Sequence, residues 1–191
     1  MVETSSLEDD STKKQENEVG GMVANLFWFL DLIGLFIVVV VLMQTFVYRS
    51  MHVEGNSMQP TLQPKNNVGV SDLFYEPKHS DIVIINTMDL FDKTIIKRIV
   101  AMAGQTVRID DDGEVFVDSV KLSEPYLAKG VKTARHGFPA QTVVVPDGCF
   151  MAMGDNRPGS SDSRDFGFFK YHQIIGKAFV RWWPLNKFKF F

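Results

Sequence analysis

The sequence predicts a mainly β domain carried behind one N-terminal transmembrane helix. Three observations predict it. Residues 26–48 (LFWFLDLIGLFIVVVVLMQTFVY) would be apolar on every face of a helix, with Asp31 their only charge. From about Met51 onward the chain breaks into short apolar runs punctuated by turns. No helix-period segment of useful length follows them.

The first 21 residues hold six acids against two lysines, whereas the rest of the chain has 18 basic and 17 acidic residues. The net charge of −3 over 191 residues therefore belongs to the tail. A segment this polar buries too little surface to offset its ordering entropy, so 1–21 is expected to be disordered, with a partner-induced helix as the alternative. The apolar run that follows would make a helix of about 34 Å, against a hydrocarbon core of about 30 Å. It is too long for a cleaved leader, its flank is acidic, and no A-x-A-like site precedes Glu54. Trp28 and Tyr48 lie near its two ends, and Asp31 is about one turn in, close enough to snorkel to the headgroups. Lys13 and Lys14 on one side face Arg49 and Lys65 on the other, so charge leaves the orientation open. The expected organisation is a tail at 1–21, an anchor at 22–48 and a β domain at 49–191.

Strands are predicted at Asp81–Asn86, Thr94–Met102, Thr106–Asp110, Glu114–Asp118, Gln141–Val145, Cys149–Met153 and Ile174–Trp182. Asp111-Asp112-Gly113 joins the third and fourth as a hairpin. Arg181–Leu185 is expected to extend the last strand into the core, and the final aromatic residues to lean towards a membrane surface. The near-neutral charge excludes a basic nucleic-acid binder. One cysteine (Cys149) and four scattered histidines exclude a disulfide framework and a Cys-rich zinc site, so neither metal nor cofactor is expected.

Two segments carry unusual chemistry. In Gly55-Asn56-Ser57-Met58-Gln59-Pro60-Thr61-Leu62, a serine between Gly and Pro can present backbone amides to a bound carbonyl. Taken alone, it reads first as a polar turn. In Gly154–Gly167 (GDNRPGSSDSRDFG), charged, hydroxyl and glycine residues crowd one loop. Such a loop can be solvated, can be an ion-pair knot, or can hold several partly buried roles.

Together the segments resemble the bacterial type I signal peptidases, membrane-anchored serine proteases that remove signal peptides. The serine segment is similar to G-x-S-M-x-P-T-L, Lys97-Arg98-Ile99-Val100 to the family's lysine segment, and Gly154–Gly167 to G-D-N-R-x-x-S-x-D-S-R-x-x-G. The resemblance implies a β-rich signal-peptidase-like catalytic domain, with Ser57 as nucleophile and Lys97 as general base. Ser160 would help hold the lysine, Asp162 and Arg164 would form a structural pair, and the Ser57 N–H would serve the oxyanion. Gly55, Met58, Pro60, Asp155, Asn156, Arg157 and Ser163 would be structural near the site. Gly55 stands where some members have a serine, and Ala103 and Gln105 replace the usual Pro and Asp around Gly104. The resemblance also implies signal peptides of preproteins as substrates, cut after small-x-small sites, and a lipid bilayer as surroundings. It implies no nucleic acid and no obligate protein partner. The location would be the bacterial plasma membrane, single-pass, with the catalytic domain outside the cytoplasm.

The residues support that chemistry. A serine needs a base, and a lysine serves only if burial lowers its pKa from about 10.4. Ile95, Ile96, Ile99 and Val100 offer apolar surroundings, and strand alternation sends Arg98 away from Lys97. Alternatives are a related Ser/Lys protease, such as a self-cleaving repressor or conjugation-system peptidase, or a non-enzymatic tethered β module that binds envelope peptides. A soluble-domain scaffold on a simple anchor is a further one.

Overall fold

The computed structural model describes residues 3–42, 49–88 and 93–191. The chain divides into two compact units, Met1–Phe46 and Val47–Phe191.

The first unit is one helix, α1, Glu3–Leu42. Within it Asn25–Leu42 is long and apolar enough to cross a membrane and is a candidate span. Residues 43–48 of the expected anchor, Tyr48 included, lie outside the described residues. The acidic tail, expected to be disordered, is helical from Glu3. The physical reason is cooperativity: once the apolar stretch is helical, each preceding residue joins at the cost of propagation only, and no proline interrupts it.

The second unit is mainly β. Its strands are β1 (Arg49–His52), β2 (Asn67–Ser71), β3 (Ile82–Asn86), β4 (Thr94–Met102), β5 (Thr106–Ile109), β6 (Val115–Val117), β7 (Val120–Lys121), β8 (Val143–Val144), β9 (Cys149–Met153), β10 (Phe169–Lys170), β11 (Ile174–Trp183) and β12 (Lys189–Phe190). A one-turn helix, α2, spans Ser163–Phe166. The larger sheet runs β1-β2-β11-β3-β4-β9-β10 with β12 on β11, and the smaller runs β7-β6-β5-β8. Every pairing is antiparallel.

Each predicted strand is present. β3 and β4 show near-continuous rather than alternating burial, as expected for strands covered on both faces. Three apolar clusters hold the unit together: Val53, Met58, Leu62, Val68 and Ile82 in one, Val83, Ile85, Ile99 and Phe150 in another, and Val107, Ile109, Met151 and Met153 in the third.

The C-terminal end of β11 corrects one expectation. Arg181–Leu185 does not fill the core: Trp183 is 47% and Leu185 70% exposed. The strand outruns the apolar clusters, and beyond Val180 it is flanked by β2 and the two-residue β12. Phe188 and Phe190 are also exposed, while Phe191 packs partly against the first cluster.

The turn after β4 is closed despite Ala103 and Gln105. The Met102 N–H donates to Gln105 Oε1 at 2.8 Å and the Gln105 N–H to Met102 O at 3.1 Å. Gly104 sits at φ +81°, in the left-handed region that favours glycine. The Gln105 side chain thus caps the turn.

Candidate active site

Ser57 reaches its place because its neighbours are anchored. Met58 and Leu62 are buried at 1% and 0% exposure, and the Leu62 N–H donates to Met58 O at 2.8 Å. Val53 and Lys65 tie the two ends of the loop, with the Lys65 N–H donating to Val53 O at 2.8 Å. Ser57 is left half-buried at a cleft wall. Its amide has no hydrogen bond among the described residues.

β4 supplies the second group. Lys97 is 3% exposed, and its Nζ lies 2.8 Å from Ser57 Oγ although the residues are 40 positions apart. Burial pulls its pKa down to about 8, with help from the charges of Lys93 and Arg164 and against the pull of Asp162 and Asp155. Arg98 points the other way. It grips Asp155 with two bonds of 2.9 and 2.7 Å, donates to Ser80 O, and lies 4.0 Å over the Tyr126 ring.

The loop after β9 clamps both. The Asn156 N–H donates to Ser57 O at 2.9 Å, and Asn156 Nδ2 to Asn56 O at 3.2 Å. Gly154 passes so close that an added Cβ would lie 2.4 Å from Ser57 O and 2.2 Å from Ser160 Oγ. Asp162, fully buried, accepts from Gly154 N–H, the Ser160 hydroxyl and the Arg164 guanidinium, and caps α2. Burial pushes its carboxyl up, but the hydrogen bonds and charge of Arg164 outweigh this and hold it below the usual range. Ser163 Oγ accepts from Ala152 N–H at 2.9 Å, tying α2 to β9.

Of the residues singled out in the sequence, Ser57, Lys97, Gly154, Asn156, Ser160 and Asp162 converge. Ser160 donates its proton to Asp162 Oδ2 at 2.8 Å, so its recorded partner is the acid rather than Lys97. Gly55 lines the cleft with open space where a side chain would go. Pro60 is exposed on the wall of a different cleft. Arg157 turns away from the dyad and donates to Gly154 O, Thr133 Oγ1 and the Glu124 carboxylate. Three supports went unread in the sequence: Glu124, Tyr126 and Thr133. Their partners lie 24 to 33 residues away or, for the ring, in β4, so no local spacing announces them. Glu124→Gln leaves buried Arg157 without its counter-charge. It should cost about 1–3 kcal/mol in urea unfolding, and an unchanged midpoint would contradict that role.

A cleft of about 730 Å³ runs past Ser57 and Lys97, with Met51, Val53, Ile96 and Phe166 among its walls. On the side away from β3, Thr94–Lys97 has no partner strand among the described residues, because β9 pairs with β4 only from Arg98 onward. No cluster of metal-ligating side chains occurs among the described residues.

A serine loop locked beside a buried lysine, with an open strand edge along the cleft, is an arrangement suited to acyl-transfer chemistry. The signal peptidase family, peptidase S26, matches residues 26–183. The chain belongs to that family and is an S26 serine peptidase, a class that acts in protein secretion. It is 34% identical to signal peptidase I of Bacillus caldolyticus over 175 residues, 85% of this chain and 92% of the relative. It is 35% identical to signal peptidase I S of Bacillus subtilis (strain 168) over 161 residues, 79% and 85% of the two chains. A solved signal peptidase I from Enterococcus faecalis V583 superposes with a TM-score of 0.46 at 29% identity, covering 55% of this chain and 97% of that one.

Proposed function

We propose that the protein is a membrane-anchored endopeptidase that removes N-terminal signal peptides from exported preproteins, with Ser57 as nucleophile and Lys97 as general base. The observation that carries this reading is the 2.8 Å contact between Ser57 Oγ and a lysine whose burial lowers its pKa to about 8.

The substrate segment adds as an extended strand along the free edge of Thr94–Lys97, opposite residues 51–57. Neutral Lys97 takes the Ser57 proton as Oγ attacks the scissile carbonyl. The unpartnered Ser57 amide stabilises the oxyanion. The Lys97 ammonium then protonates the leaving amine, and a water, activated by the same lysine, releases the acyl-enzyme. Ser160, Asp162 and Arg164 position the loop that holds the dyad. Family likeness assigns small residues to the first and third positions before the cut. On this reading enzyme and preprotein share one bacterial plasma membrane, a location the candidate span supports, and sharing it raises their effective concentration. The catalytic unit works on the extracytoplasmic side.

The test is full-length protein in liposomes with a preprotein. Cleavage after a small-x-small site, lost in both Ser57→Ala and Lys97→Ala, supports the dyad, and unchanged cutting by both variants overturns it. The pH profile gives a second check. Only neutral Lys97 accepts a proton, so kcat/KM should rise with pH and level off above a midpoint near 8. A flat profile from pH 6 to 9 would exclude Lys97 as the titrating base.

A further inference from the structure

A second cleft, of about 460 Å³, opens where β11 and β12 meet the chain following Ser57, and Thr61, Arg98, Tyr126, Lys177, Arg181 and Lys189 are among its walls. Four of these are cations. Arg98 is neutralised by Asp155, and Lys177 by Asp81 at 2.6 Å. Arg181 and Lys189 have no carboxylate within ion-pair distance among the described residues. Asp81, the one acidic side chain in the cleft wall among the described residues, is already engaged by Lys177, the Tyr75 hydroxyl and the Lys78 N–H.

The placement of the two free cations is unusual. They are direct cross-strand partners in the β11–β12 register, and like charges so placed destabilise a strand pair. Arg181 is also fixed: its Nε donates to Lys187 O at 2.7 Å and its Nη1 to Thr61 O at 2.8 Å. Burial disfavours its charge, and no acid offsets this. Among the described residues the Lys189 side chain makes only a ring contact, 5.9 Å from Phe191.

We infer that this cleft binds a phosphate group, held between the Arg181 guanidinium and the Lys189 ammonium. A phosphate presents several oxygens to a fixed planar fork and to a mobile point charge at once, the pairing these two side chains suit. It would also relieve their mutual repulsion. Because Arg181 holds the carbonyl of Thr61, four positions after Ser57, occupancy steadies the loop that carries the nucleophile. The phosphate can come from a phospholipid headgroup or from the free ion.

The experiment uses the full chain in neutral detergent and follows thermal unfolding, so its outcome is independent of the dyad assignment. Inorganic phosphate is compared with sodium chloride at matched ionic strength, and micelles doped with phosphatidylglycerol with micelles doped with phosphatidylcholine. The expected result is a rise of about 2–4 °C over the matched control. It should fall by at least half in Lys189→Gln, which breaks no hydrogen bond, and persist in Lys121→Gln on the other sheet. A rise with inorganic phosphate assigns the free ion, and a rise with phosphatidylglycerol alone assigns the lipid. The inference is overturned if neither raises the midpoint, or if the rise survives in the Arg181→Gln/Lys189→Gln double variant.

Discussion

Replacing Lys97 by methionine is expected to abolish signal-peptide cleavage and, in the same molecule, to raise thermal stability at pH 7. The loss follows from removing the one base within hydrogen-bond reach of Ser57 Oγ among the described residues, and general-base catalysis is worth roughly 10²–10⁴-fold. The gain follows from burial. Lys97 is 3% exposed, and its pKa falls from 10.5 to about 8 because the charged form is poorly solvated. At about 1.4 kcal/mol per pKa unit, the protonated side chain costs the fold on the order of 3 kcal/mol. The folded value lies below the unfolded one, so the unfolded chain binds more protons between pH 8 and 10.5. Wild-type stability therefore rises with pH through that window, and the full penalty is present below it. Methionine, similar in length and apolar, escapes the penalty. The variant should gain most below pH 8 and progressively less towards pH 10.5. Calorimetry at pH 7 and pH 10 measures this. An equal midpoint difference at both would show that Lys97 is not the group that titrates.

Gly154→Ala should cost at least about a hundredfold in kcat/KM while leaving both dyad side chains in the sequence. The added methyl would stand 2.4 Å from Ser57 O and 2.2 Å from Ser160 Oγ. The first neighbour is backbone held by the Asn156 N–H, so the nucleophile segment itself must move, and displacements of about 1 Å cost that much in a reacting geometry. Overpacking adds about 1–3 kcal/mol of instability. The matched control is Gly55→Ala, where the methyl meets nothing within 4 Å. Its unfolding midpoint should stay at the wild-type value. Equal kcat/KM for Gly154→Ala and wild type would show that the close approach does not position Ser57.

The parts of the fold with regular apolar runs were readable in the sequence, and the parts made by pairing alone were not. The runs at 82–86, 94–102 and 149–153 announced β3, β4 and β9. β2 did not announce itself, because Gly69 breaks a five-residue run, yet it lies between β1 and β11. β1, β7, β10 and β12 are short and exist mainly because a longer neighbour supplies their hydrogen bonds. Ser57 and Lys97 were found through their motifs, and the structure brings them into contact across 40 residues. The Arg98–Asp155 grip and the Glu124–Arg157 pair span 57 and 33 positions, and local pattern carries no information over such distances. The tail shows the converse limit. Its composition opposes independent folding, but composition does not register the helix next door.

The unpaired edge at Thr94–Lys97 also bears on self-association. An open strand edge accepts any extended chain, including a neighbouring copy of the same protein. Lys93, exposed, stands beside this edge, and charge at an edge discourages such additions. Lys97, 3% exposed, is turned from solvent and adds little to that protection. Concentrated enzyme is therefore expected to assemble more readily in Lys93→Ala than in the wild type, and least readily when a peptide occupies the edge.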